Sequence, residues 1–330
     1  MNTPICDFVN DYYKRQGIRL HMPGHKGVNT NLLGLEQLDI TEISDADDLF
    51  HPEGIVLESE KNCSKLFGFD TYYSTEGSSL GIRTMLYLCK IRAQKEGCNN
   101  VILASRNCHR TFITGLALLD IDVNWLKSDN DKSYISSDIT AQSVSDALKA
   151  SSRPPMAVYI TSPDYAGKIL NIGDIAKVCH EHNVPLIVDN AHGAYLKFLN
   201  PSIHPIDLGA DMCVDSAHKT LPVLTGGAYI HIGNGLMKSY SSMVKDAMVM
   251  FGSTSPSWII LQSLDNVNKI LFENLYKENL NSIIEISDLS KAELKKIGFE
   301  LIGDEPLKIS VIPQSVGTDG LILGDYLKRF

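Results

Sequence analysis

The chain has 330 residues, 44 % of them hydrophobic, enough to bury a large core and build one large domain beside a smaller one. Thirty Lys and Arg against 39 Asp and Glu leave a formal charge of −9 and no dense basic run, which argues against nucleic acid as a partner. No apolar stretch reaches the roughly eighteen residues that cross a bilayer, and Met1-Asn2-Thr3-Pro4 lacks the marks of a signal peptide, so a cytoplasmic protein off the membrane is expected.

Residues 1–70 carry Pro23, Gly24, Gly27, Gly34, Pro52, Gly54 and an acidic stretch Asp45-Ala46-Asp47-Asp48. They read as an N-terminal arm with one short helix. From 71 to 255, short apolar or β-branched runs alternate with helical patterns. Strands are expected at Val101–Ala104, Val123–Leu126, Ala157–Thr161, Leu186–Asp189, Met212–Asp215 and Ala228–Ile232. Helices are expected at Leu80–Cys89, Thr111–Leu119, Ser143–Ala150 and Ile172–His182, by apolar residues at three- and four-residue spacing. This alternation predicts an α/β domain, a mostly parallel sheet with helices on both faces. From 256 to 330 a helical linker (Pro256–Lys296) precedes short strands at Phe299–Ile302 and Lys308–Val311 and an amphipathic helix at Leu321–Phe330. A small C-terminal domain is expected to begin there and to be incomplete at Phe330. The seven cysteines are scattered without a CxxC pair, so neither a disulfide framework nor a cysteine-bound metal is expected.

In parallel α/β sheets, ligands bind beyond the carboxyl ends of the strands. Three groups fall at such places. One expected strand ends in Asp189 and continues Asn190-Ala191-His192-Gly193; another runs into Asp215-Ser216-Ala217-His218-Lys219-Thr220. Upstream, Gly77-Ser78-Ser79 opens a helical run. That turn offers free N–H groups, two hydroxyls and a positive dipole end, a cradle for phosphate. A carboxylate buried at a strand end stays ionised only beside a cation, such as a protonated ring nitrogen. A lysine of lowered pKa forms a Schiff base with an aldehyde. Phosphate, ring cation and aldehyde belong together in pyridoxal 5'-phosphate (PLP). Each feature alone has a plainer reading as a helix cap, a turn former or a surface charge, and His109 or His192 alone as a packed histidine. Their order and strand-end placement favour the PLP site.

The chain resembles the bacterial ornithine/lysine/arginine decarboxylases, PLP enzymes of fold type I (the aspartate-aminotransferase fold). The resemblance runs from near residue 4 to the end. It is carried by Leu20-His21-Met22-Pro23-Gly24-His25-Lys26-Gly27, Asp39-Ile40-Thr41-Glu42, Asp47-Asp48-Leu49, His51-Pro52-Glu53-Gly54-Ile55, Gly77-Ser78-Ser79 and Arg106-Asn107-Cys108-His109. It continues in Asp189-Asn190-Ala191-His192-Gly193-Ala194, Ser216-Ala217-His218-Lys219-Thr220-Leu221-Pro222 and Thr254-Ser255-Pro256-Ser257.

The resemblance implies that Lys219 is the Schiff-base lysine and Asp189 the partner of the ring nitrogen. His109 would stack on one ring face and Ala191 on the other, with His192 beside them. Gly77, Ser78 and Ser79 would hold the phosphate, helped by Ser216 and His218. Thr254 or Ser255 would reach the phosphate of a neighbouring subunit, since the family's sites form at dimer interfaces. His21, His25, Lys26, Asp47 and Asp48 would lie near the site, where acidic residues attract a cationic side chain. The implied reaction is decarboxylation of arginine, lysine or ornithine to an amine that feeds polyamine metabolism, with His109 or Lys219 reprotonating the α-carbon. A PLP lyase or aminotransferase, or a non-catalytic PLP-binding partner of a longer homologue, stays open. The chain departs from the family at Asn190 (usually Glu), Tyr195 (usually His) and Glu76 (often Asn), and family members continue well past residue 330.

Overall fold

The computed structural model describes residues 1–30, 33–128 and 135–329. Seven strands form the central sheet: β1 (Asp70–Ser74), β2 (Val101–Ala104), β3 (Asp122–Trp125), β4 (Ala157–Thr161), β5 (Leu186–Asp189), β6 (Met212–Asp215) and β7 (Ala228–Ile232). Their order is β1-β7-β6-β5-β4-β2-β3. β7 runs antiparallel to both neighbours and the other pairings are parallel, so β1, β2, β4, β5 and β6 end at one edge.

All six expected strands form, with β3 shifted back by one residue. β1 was not expected, because Asp-Thr-Tyr-Tyr-Ser has no apolar run. Its polar side chains find partners inside: Thr71 Oγ1 lies 2.9 Å from His231 Nδ1, and the Tyr73 hydroxyl donates to the Ser59 carbonyl.

Successive strand residues face opposite layers, as the pleat requires. Ile102, Tyr159, Ile187 and Val214 join one core cluster; Leu103, Val158, Ile160, Val188 and Cys213 join the other. Two helices belong to the arm, α1 (Pro4–Lys14) and α2 (Ile55–Phe67), one more than expected. α3 (Gly77–Glu96) and α4 (Arg110–Leu119) cover the first face of the sheet, through Leu80, Ile82, Met85, Phe112 and Leu116. α5 (Ala141–Ala150) and α6 (Ile172–Glu181) cover the second, through Val144, Leu148, Ile172, Ile175 and Cys179.

After β6 come the short α7 (Ala217–Thr220) and α8 (Val244–Val249). The expected helical linker is two helices, α9 (Trp258–Phe272) and α10 (Asn274–Lys296), separated by Glu273 in an extended conformation. A two-stranded sheet follows, β8 (Glu300–Ile302) with β9 (Ser310–Ile312), then α11 (Gly320–Leu327). Phe330, the last residue of the helix expected there, lies outside the described residues. Among the described residues, no helix is long and apolar enough to cross a membrane.

The arm docks on α9. Ile5 and Val9 are buried, and Asp265 Oδ2 accepts the Cys6 N–H at 2.9 Å while Oδ1 accepts the Ser59 hydroxyl at 2.6 Å. Burial raises the Asp265 pKa from 3.8 to about 6, and the bonds from Ser59 and Cys6 only partly offset it. The folded state therefore holds a proton that the unfolded chain has lost between these values. Its contribution to stability is complete below pH 3.8 and is lost as pH rises to about 6, a change of about 3 kcal/mol. The unfolding free energy of the native chain minus that of Asp265→Asn should fall across this window. A flat difference by denaturant titration would refute the raised pKa.

Candidate active site

Asp189 ends β5 and is 2 % exposed. Its Oδ1 accepts the Ala191 N–H at 3.1 Å and its Oδ2 the Tyr159 hydroxyl at 3.0 Å. Burial pushes its pKa up, and these bonds together with the charges of Lys219 and His109 pull it back. Both hydrogen-bond donors are neutral, so the site suits a cation brought in by a ligand.

One strand away, Asp215 ends β6 and is also buried. It receives His204 Nε2 at 3.0 Å, His231 Nε2 at 3.1 Å and Asn190 Nδ2 at 2.7 Å. Burial alone would raise its pKa, yet the two histidines hold it well below the usual carboxylate range. His204, Asp215 and His231 have the composition of a metal site. Within the chain itself both Nε2 atoms stand at hydrogen-bond distance from the carboxylate. The remaining ring nitrogens are engaged too: Ile206 N–H donates to His204 Nδ1, and Thr71 contacts His231 Nδ1. Asn190 is explained by this network. Its amide donates to Asp215, where the family's usual Glu would set a second carboxylate against the first.

Lys219 follows β6 in α7, and its Nζ donates to His192 Nε2 at 3.2 Å. Burial, reinforced by the Lys219, Lys308 and His109 charges, lowers the His192 pKa to about 4, so the ring is a neutral acceptor. Burial also lowers the Lys219 pKa, against the pull of Asp189.

The start of α3 is pinned by the Gly77 N–H, which donates to the Gly226 carbonyl at 2.7 Å. Gly226 has φ +101°, and a Cβ there would stand 2.9 Å from the Thr75 carbonyl oxygen, so only glycine allows this approach. Ser216 Oγ donates to Ser78 Oγ at 2.9 Å, and the Ser79 and Thr111 hydroxyls lie 3.1 Å apart. Among the described residues, no side chain caps the first turn of α3. Glu76 turns away from it and accepts the Ser253 N–H at 2.6 Å, which removes the expected conflict with a phosphate. His109 caps α4, its Nδ1 accepting the Thr111 N–H.

These elements enclose a cavity of about 320 Å³. Of the residues singled out in the sequence, Ser78, His109, Asp189, Ala191, His192 and Lys219 line it. Gly77, Ser79 and Ser216 do not line it; Ser216 reaches it through Ser78. His218 lies off the lining, its N–H bonded to the Gly227 carbonyl, and Thr254 and Ser255 are exposed elsewhere. The arm residues are also absent from the lining. Asp47 caps α2 by accepting the Gly54, Val56 and Leu57 N–H groups, and Asp48 accepts the Phe50 N–H. His25 pairs with Asp39 at 3.2 Å, and His21 borders a separate cleft with Tyr12, Thr41 and Glu42. The nearby carboxylates expected to attract a cationic side chain are thus not in this cavity, where Asp189 is the one acid among the described lining residues.

Sequence reasoning missed Asn107, Cys108, Arg110, Ile135, Thr161 and Tyr165 as lining residues. Thr161 and Tyr165 follow the strand-end rule already applied to β5 and β6, so β4 held the signal. The Asn107 amide is buried at the cavity with neither its nitrogen nor its oxygen partnered among the described residues. Such a group awaits a ligand atom. The uncapped helix start, the buried carboxylate, the cavity lysine and this open amide suit the phosphate, ring nitrogen, aldehyde and ring substituents of PLP.

The fold is that of the fold-type-I PLP proteins, and this site gathers groups suited to that cofactor. The profile of the Orn/Lys/Arg decarboxylase major domain matches residues 3–312, and the chain belongs to that family, whose cofactor is PLP. It is 27 % identical to an arginine decarboxylase of Halalkalibacterium halodurans over 96 % of this chain and 67 % of that one. It is also 27 % identical to the Bacillus subtilis protein YaaO, over 100 % of this chain and 70 % of that one. The constitutive lysine decarboxylase of Escherichia coli superposes with a TM-score of 0.72 at 21 % identity, over 97 % of this chain and 49 % of that one. The chain thus spans about half the length of that solved relative.

Asn190→Asp should place two carboxylates in contact inside the protein and lower the unfolding free energy by about 3 kcal/mol or more at neutral pH. Equal stability of the variant in denaturant titrations would show that the Asn190–Asp215 contact does not matter.

Proposed function

We propose that this chain decarboxylates a basic amino acid (arginine, lysine or ornithine) with PLP, releasing CO₂ and the matching amine. One observation carries the reading: the buried Asp189 carboxylate and the Lys219 amine meet in one cavity, beside the serines at the start of α3. The names of the relatives, arginine and lysine decarboxylases, support the substrate class.

PLP, when bound, supplies an aldehyde for an amine and a ring that accepts the electron pair released with CO₂. Lys219 would hold that aldehyde, its lowered pKa making a free amine accessible. Asp189 would keep the ring nitrogen protonated, and Tyr159 and Ala191 hold its two oxygens in place. Gly77, Ser78, Ser79 and Ser216 would seat the phosphate at the start of α3, where the helix dipole favours an anion. His109 and Ala191 would flank the ring. His192, a neutral acceptor, would orient the Lys219 Nζ, and His109 or Lys219, both on the cavity lining, would return a proton to the α-carbon.

We also propose at least a homodimer. The arm exposes Ile18, Leu20, Met22 and Val28 at 91, 89, 70 and 63 %, apolar surface that favours a covering partner. Thr254 and Ser255, exposed and off their own cavity, would then serve the neighbour's phosphate. Asp189 is the one acid among the described lining residues, so an acid for the substrate's cationic end would come from beyond this cavity as well. Sedimentation of the PLP-loaded protein reads the assembly, and a monomer with full cofactor occupancy would overturn it.

The chemical test is the visible spectrum with PLP before and after arginine, lysine or ornithine. A yellow band absent in Lys219→Ala, shifted by one amino acid with CO₂ release, is the expected result. Asp189→Asn should cut kcat by about 10²- to 10³-fold. A keto acid in place of CO₂ would mean an aminotransferase, and a band deaf to all three amino acids a non-catalytic PLP binder.

A further inference from the structure

The segment between β8 and β9 comes from far along the chain, yet it grips the loop that carries the cavity-lining Tyr165. Gly303, with φ +77°, packs backbone to backbone on that loop: a Cβ there would stand 2.6 Å from the Ala166 carbonyl oxygen and 2.7 Å from that of Gly167. The Asp304 and Glu305 N–H groups both donate to the Gly167 carbonyl, at 2.9 and 2.8 Å. Asp304 Oδ1 accepts the Ile169 N–H at 2.7 Å. Lys308 Nζ donates to the Tyr165 carbonyl at 3.2 Å and stands 5.7 Å from the centre of the Tyr165 ring. Glu305 is 3 % exposed and accepts the hydroxyl of Tyr195, three residues beyond His192.

Both gripped elements meet at the site. Tyr165 lines the cavity, and its ring meets that of His192 edge-on at 6.2 Å. His192 in turn accepts from Lys219. A chain of contacts therefore runs from Lys308 through Tyr165 and His192 to Lys219. Burial is the main cause that lowers the pKa values of His192 and Lys219, and the Lys308 charge adds to it in both.

We propose that Gly303–Lys308 is a latch holding the Tyr165 loop and the Tyr195 turn against the cavity, so that Glu305 and Lys308 are positioning residues and Tyr165 is the wall met by the substrate's side chain. The role of the wall rests on the decarboxylase reading; the latch does not. Residues beyond α10 thereby act on the shape of a cavity lined by residues between Ser78 and Lys219.

The test uses the full chain and the variants Lys308→Met and Gly303→Ala, followed by hydrogen exchange without cofactor. Exchange of residues 163–169 should quicken about tenfold in both, the loss of one or two hydrogen bonds, with β4 to β6 unchanged. Unchanged exchange in both variants overturns the latch whatever the enzyme does. With PLP bound, Lys308→Met and Tyr165→Ala should both raise KM several-fold with kcat within about twofold. If exchange quickens and KM stays, the latch stands and the wall is overturned. If the protein is inactive but exchange quickens, the decarboxylase reading fails and the latch stands.

Discussion

A carboxylate buried at the end of a central strand is the constraint on which the rest of the site depends. β5 is covered on both faces, as parallel strands under two helical layers must be, so Asp189 ends where little water reaches its charge. Two neutral donors hold it, and the stronger stabilisation must come from a cation. The helical layer is tied to the same point. Phe112 of α4 stacks on Tyr159 with ring centres 4.1 Å apart, and the Tyr159 hydroxyl reaches Asp189. The packing that places α4, and with it His109, is therefore the packing that orients the carboxylate.

Asp215 shows what a buried carboxylate looks like when its own chain satisfies it. Two imidazoles and an amide surround it, and it stays ionised without help from a ligand. The two aspartates end neighbouring strands and differ in donors and access. One is enclosed by hydrogen-bond donors; the other opens on a cavity with only neutral donors. That difference, and not burial alone, separates a structural carboxylate from one poised to bind.

The strands were legible because their apolar runs are long enough to read without partners, and Asp189 and Lys219 were legible from the rule that ligands sit at strand ends. What was hidden depends on partners distant in sequence. β1 reads as polar until His231, 160 residues away, meets Thr71. Tyr195 reads as a departure until Glu305, 110 residues on, accepts its hydroxyl. The break between α9 and α10 turns on the extended backbone of one residue, Glu273, within a continuous helical pattern. The histidines and acids of the arm read as site residues, yet within the chain they cap helices and line another cleft, which local pattern cannot distinguish.

The three departures from the family's usual residues are each absorbed by a specific contact. Asn190 supplies an amide hydrogen to a carboxylate that a glutamate would repel. Glu76 turns its charge onto a backbone N–H at residue 253, clear of the phosphate turn. Tyr195 hands its hydroxyl to a buried glutamate in the segment between β8 and β9. In each case the altered residue gains a partner of complementary hydrogen-bonding character and leaves Asp189, Lys219 and Ser78 on the cavity. The pairing is not complete, since Asn190 Oδ1 and Glu305 Oε2 find no partner among the described residues, so these contacts keep the departures clear of the cavity without satisfying every buried group.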